Sequence, residues 1–132
     1  MIFVDTSAFA AAIASRDARH LEAVALLEAH GSSGLVTSNH VRGETWTFVN
    51  RRYAHRTAAA FLDMLGRTRR IEVVFVSHDL EERALRWLRR RNEREYSFVD
   101  ATSFTLMKSL RINEALTFDG DFEAAGFTVL RA

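Results

Sequence analysis

The sequence predicts a three-layer α/β/α domain around a mostly parallel sheet of four to five strands. Three observations carry that expectation. Short apolar or β-branched runs alternate with segments of helical periodicity along the chain, which is the pattern of successive βαβ units. The first run, Ile2, Phe3 and Val4, has no polar position, as a strand covered on both faces requires. Asp5 ends that run and Asp119 ends a later one, and the carboxyl ends of strands are where open α/β sheets keep their ligand crevices.

Taken in order, Ile2 to Val4 reads as a strand, Thr6 or Ser7 as a helix cap, and Ala8 to Ser15 as the helix it starts. Asp5 is a candidate site residue here, with a turn or cap role as the competing reading. Arg19 to His30 has Leu21, Val24, Ala25 and Leu27 at amphipathic spacing, with Gly31 near its end. Ser32 to Gly34 is a loop, and Leu35 to Thr37 is a brief second strand. Ser38 or Asn39 caps a helix to about Tyr53, with Val41, Thr45, Phe48 and Val49 on its apolar side and Glu44 on the flank of that side.

A further helix covers about His55 to Gly66 through Ala58, Phe61, Leu62 and Leu65. Ile71 to Val76 is the strongest strand signal, and Ser77 caps a helix from His78 to about Arg91. Ser97 and Asp100 have the spacing of a capping box with Asp in place of Glu, so Asp100 reads as a helix-start residue before any other role. Ala115 to Phe118 is a fourth strand, broken at Asp119 to Phe122, and Phe127 to Leu130 is a fifth. No proline, repeat or Gly/Ser tract divides the 132 residues, which predicts one domain over 1–132.

Composition limits the function classes. Hydrophobic residues at 48% support a core, and no apolar run approaches the roughly 20 residues of a membrane span. The N-terminus lacks a basic region before an apolar stretch, so the expected compartment is the cytoplasm. The absence of cysteine excludes disulfides, thiolate metal sites and a cysteine nucleophile. The net charge of +1 hides a bias, since Lys108 is the only lysine among 18 basic residues. Arginines cluster from Arg86 to Arg94, which reads either as a phosphate-facing surface or as a solvated helix face.

Asp5 and Asp119 end strands, Asp100 opens a helix and Glu44 lies near the start of one, so all four fall on one rim of a parallel sheet. If the first and fourth strands are neighbours, the acids crowd together, and crowded carboxylates either take up protons or bind a cation. No histidine pair has zinc-ligand spacing, so an all-oxygen site for Mg²⁺ or Mn²⁺ is the simpler expectation. Such a cation activates water toward phosphorus and neutralises phosphate oxygens, which points to phosphate-ester hydrolysis.

Met1 to Phe9, Glu44 after the second strand, Ser97 to Ala101 and Ala115 to Phe122 together resemble the motifs of PIN-domain ribonucleases. Length and motif order resemble the VapC-type toxins of type II toxin-antitoxin systems. The resemblance implies a PIN-like fold and a Mg²⁺- or Mn²⁺-dependent endoribonuclease acting on RNA such as tRNA. It implies that Asp5, Glu44, Asp100 and Asp119 form the acidic catalytic set, with Asp5, Asp100 and Asp119 as the first metal ligands. It also implies a homodimer and a small antitoxin partner, for which Trp46, Phe48, Phe61 and Met64 could form a surface unless they pack in the core. Asp121 remains open between the site and a cap on the following helix.

Other classes compete. A haloacid-dehalogenase-like phosphotransferase would place a second Asp at the position of Ser7, and a receiver-like module would carry a lysine after its last strands. A PIN fold kept for interaction alone would gain nothing from clustered negative charge.

Overall fold

The computed structural model describes residues 1–131. Five strands form one sheet: β1 (Ile2–Val4), β2 (Leu35–Ser38), β3 (Ile71–Val74), β4 (Glu114–Leu116) and β5 (Thr128–Val129). Their spatial order is β3-β2-β1-β4-β5 and every pairing is parallel. The chain winds outward from β1 to β3, then returns to the other side of β1 to place β4 and β5. The sheet is entirely parallel, and helices flank it as three α/β/α layers.

Among the described residues seven α-helices join the strands: α1 (Thr6–Ile13), α2 (His20–His30), α3 (Asn39–Arg52), α4 (His55–Arg67), α5 (His78–Arg90), α6 (Phe98–Ser109) and α7 (Asp121–Ala124), and a 3-10 turn at Gly31–Ser33 takes up part of the expected loop. Three begin as the sequence leads one to expect. Ser38 accepts from the Val41 amide at 3.0 Å, Ser77 from that of Leu80 at 3.2 Å, and Ser97 and Asp100 form a reciprocal capping box. The start of α1 differs, because Asp5 stands at its cap position and makes no side-chain cap bond. Thr6 and Ser7 do not cap it either, since they lie inside the helix with hydroxyls turned to other partners.

The core is aromatic on one side of the sheet. Phe104 meets Trp87, Tyr96, Phe122 and Phe127 with centroid separations between 4.9 and 5.8 Å, mostly edge to face. Phe9 meets Phe61 at 5.2 Å, so Phe61 is core and not a docking surface. Phe48 departs from the apolar side expected of α3 and is 45% exposed. Leu21 is 82% exposed while Ala23 and Leu26 bury the inner face of α2. That helix is apolar around most of its circumference, so spacing alone did not select the face.

Ile71 to Val76 also differs, since β3 stops at Val74 on the sheet edge and Phe75 is 63% exposed. The Val76 amide donates to Asn39 Oδ1 at 2.8 Å instead of continuing a ladder. β-branched composition reports strand preference, not how many faces are covered. No helix among the described residues is long and apolar enough to cross a membrane.

Phe104→Ala should lower unfolding stability by about 3–5 kcal/mol, because it opens a cavity among four rings. Phe48→Ala should change it by less than about 0.5 kcal/mol. Urea denaturation of both variants measures the contrast, and equal losses would contradict the assigned core.

Candidate active site

The β1–β4 pairing builds the site. Val4 lies opposite Leu116, and the Asp5 amide extends the ladder by donating to the Leu116 carbonyl at 3.0 Å. The two strands therefore end side by side at the point where the winding direction reverses, which is where α/β sheets open a crevice. Asp5 leaves β1 there and Thr117 to Asp119 leave β4. The first turn of α6 adds Asp100, and α3 adds Glu44.

All four acids expected from the sequence line one open cleft of about 360 Å³, together with Thr6, Ser7, Phe48, Glu95, Ser97 and Asp121. Hydroxyls hold the acids in place. Thr117 donates to Asp5 Oδ2 at 3.0 Å, Ser7 approaches the same oxygen at 3.3 Å, and Thr6 donates to Glu44 Oε1 at 2.6 Å. Ser7 Oγ also accepts from the Phe118 amide at 2.9 Å, tying the start of α1 to the end of β4.

Within the cleft, Asp100, Asp119 and Asp121 each place a carboxylate oxygen within 4.8 Å of the others. Asp100 and Asp119 were expected in such a group, and Asp5 lies on the same cleft outside that tight trio. Asp121 joins them instead of capping α7. It is Asp119 that serves the turn, since its Oδ1 accepts from the Asp121 amide at 3.0 Å. The two-residue spacing in Asp119-Gly120-Asp121 was the available signal, because a tight turn brings both carboxylates to one side.

Burial and crowding act on these groups together. Burial pushes Asp5 up to about 6, helped by the charges of Glu44 and Asp119 and opposed by hydrogen bonds from Thr6 and Thr117. Burial also pushes Asp100 up to about 7, against the Ser97 amide and with further upward pushes from Asp121, Asp5 and Asp119. Asp119 is raised by burial and by Asp121. Asp121 goes the other way, because bonds from Arg94, Asp119 and Asp100 outweigh its burial. Such a cluster holds protons at neutral pH or accepts a cation, and its all-carboxylate donor set fits a hard divalent ion.

A family profile described as PIN domain matches residues 2–128. The chain belongs to the PIN-domain family. It is of the VapC type, being 54% identical over 132 residues to the 23S rRNA-specific endonuclease VapC20 of Mycobacterium tuberculosis, with 99% of this chain and 98% of that protein covered. The crystal structure of M. tuberculosis VapC20, described as a sarcin-ricin loop cleaving toxin, superposes with a TM-score of 0.94 at 51% identity over all of both chains. VapBC2 from Rickettsia felis, bound to a DNA fragment from its promoter, shares the fold with a TM-score of 0.73 at 16% identity over 98% of each chain. A toxin-antitoxin complex from Klebsiella pneumoniae does so at 0.64 and 18%, covering 98% of this chain and 96% of that one. Membership in the PIN family removes the dehalogenase-like and receiver-like alternatives.

The raised Asp5 value has a definite sign for stability. Its folded value of about 6 exceeds the ordinary 3.8, so its protonation favours the folded state fully below about pH 4 and that gain is lost as pH rises through 6. A shift of roughly two units corresponds to about 3 kcal/mol. Without divalent cations, Asp5→Asn should be more stable than wild type by up to about 3 kcal/mol near pH 8 and equal to it near pH 4. Urea titrations across that range test this, and a variant weaker at every pH would show that the Thr117 bond outweighs the burial.

Proposed function

We propose that this chain is a Mg²⁺- or Mn²⁺-dependent endoribonuclease that hydrolyses a phosphodiester of ribosomal RNA, in the sarcin-ricin loop or a similar exposed loop, as the toxin of a toxin-antitoxin pair. One observation carries the reading: a chain 54% identical to a 23S rRNA endonuclease gathers Asp5, Glu44, Asp100, Asp119 and Asp121 into a single cleft. That relative favours ribosomal RNA over the transfer RNA that the resemblance also allowed.

Asp100, Asp119 and Asp121 would hold the ion, with Asp5 as a further donor at the end of β1. Bound there, the cation would neutralise phosphate charge and make water a better nucleophile toward phosphorus. Thr117 and Ser7 keep Asp5 aimed at the cleft. Glu44, fixed by Thr6, accepts a proton from the attacking water. Phe48 on the rim offers an exposed ring on which an unpaired base can stack. The catalytic unit is the single PIN-like domain of residues 1–132, working in the cytoplasm where ribosomes are. A homodimer and a small antitoxin complete the assembly, and toxin-antitoxin complexes among the structural neighbours are consistent with the latter.

Purified protein should cut naked rRNA or ribosomes at one site with Mg²⁺ or Mn²⁺ and stop with EDTA. Asp5→Asn, Asp100→Asn and Asp119→Asn should each slow cleavage by about 100-fold or more, and Glu44→Gln by at least about tenfold. Primer extension locates the cut. Cleavage that persists in EDTA, or an Asp5→Asn enzyme as fast as wild type, would refute the reading, and cuts confined to tRNA would move its substrate.

A further inference from the structure

A polyanion must enter a cleft that repels it. Six of the ten residues lining the cleft are acidic and none is basic. One divalent ion leaves excess negative charge there, so a positive group at the rim favours phosphate binding. Among the described residues, Arg94 is the only basic side chain in ion-pair contact with any acid of the cleft, through Asp121.

Arg94 is positioned for more than that pair. It lies in the segment between α5 and α6, anchored by Tyr96, whose ring packs against Trp87 at 4.8 Å and Phe104 at 5.8 Å. Only its Nε bonds to Asp121, and among the described residues neither terminal nitrogen has a hydrogen-bond partner. A Cβ built on Gly120 would come within 3.1 Å of Nη2, so the guanidinium lies close against bare backbone. The side chain is 45% exposed, which leaves the unspent part of the fork open to solvent at the cleft mouth. Exposed Arg89 and Arg90 end α5 just before it, and Arg91 stacks over Trp87 at 5.1 Å.

We propose that Arg94 is a substrate-binding residue of this site, whose terminal nitrogens grip a phosphate of the RNA backbone while Nε stays on Asp121. A planar fork with two free nitrogens matches two phosphate oxygens. Of the arginines just before it, Arg91 is paired with Glu93 at 3.4 Å, which leaves Arg94 as the member of the cluster that touches the site. The proposal rests on the ribonuclease reading and adds the group that makes the acidic cleft accept RNA.

The test compares Arg94→Gln and Arg94→Lys with wild type, and with Arg83→Gln on the first half of α5 as a charge-matched control. Binding to a synthetic hairpin carrying the sarcin-ricin loop is read by fluorescence anisotropy with Ca²⁺, cleavage by single-turnover kinetics with Mn²⁺, and Mn²⁺ affinity without RNA by electron paramagnetic resonance. Arg94→Gln should weaken RNA binding by about tenfold and reduce the salt slope by about 0.7 to 1, with Arg94→Lys between it and wild type. Mn²⁺ should bind Arg94→Gln as tightly as wild type or more tightly, since a positive charge has left. RNA affinity within about twofold of wild type would overturn the proposal, as would an equal loss in Arg83→Gln. Mn²⁺ affinity that falls in step with RNA affinity would also overturn it, because Arg94 would then only prop Asp121. A wild type that binds the hairpin through Arg94 but never cuts it would refute the hydrolase reading alone.

Discussion

The parallel pairing of β1 with β4 is the constraint on which the rest of the site depends. Two strands more than a hundred residues apart lie side by side, with Val4 opposite Leu116, so the chain ends both on one rim of the sheet. Each strand is only three residues long and buried at its inner end, which leaves little freedom for the polar residue that follows. Moving this register by one residue would turn Phe3 away from Phe122 and Asp5 away from Thr117. The hydrophobic core therefore fixes the position of the carboxylates.

That position is electrostatically costly, and the surrounding residues offset the cost locally. Asp5 is 4% exposed and receives hydroxyl bonds from opposite sides of the β1–β4 seam, while Glu44 is tied to Thr6. Hydroxyls lower the energy of a carboxylate without neutralising it, so the charge stays available to a cation. An arginine on Asp5 would have been a stronger partner and would have filled the place of a ligand. Among the described residues, the arginine that reaches the cluster is Arg94, which touches Asp121 at the outer edge with nearly half of its side chain exposed.

Much of this was legible in the sequence. The position of Asp5 followed from an apolar run that ends in an acid, and the neighbourhood of Asp119 followed from alternating strands and helices, because a parallel sheet puts every such ending on one rim. Four acids scattered between positions 5 and 119 could then be assigned to one place. The misreadings have a common cause in side-chain direction. Leu21 and Phe48 fit an apolar spacing yet face outward, and periodicity cannot rank two possible faces when a helix is apolar around much of its surface. The run Ile71 to Val76 suits a strand throughout, yet β3 ends at Val74 because β-branched composition does not mark where the ladder stops. The sequence leaves Asp121 open because turn geometry, which sequence shows only faintly, brings both Asp119 and Asp121 into the cluster while Asp119 also accepts the Asp121 amide.

Asp100 shows that a structural and a functional reading of one residue need not compete. Its Oδ2 accepts the Ser97 amide and completes the capping box, the role that sequence spacing suggested first. That bond consumes one oxygen and orients the plane of the carboxylate, while an oxygen of the same group lies within 4.8 Å of partners on Asp119 and Asp121. A cap fixes the direction of a side chain more firmly than packing against a half-open cleft could. The shorter Asp in place of the usual Glu follows from the same geometry, since it keeps the carboxylate close to the helix end, beside the residues that leave β4. Helix capping and carboxylate placement are in this case one interaction, and Asp100 joins the acidic cleft because α6 starts where it does.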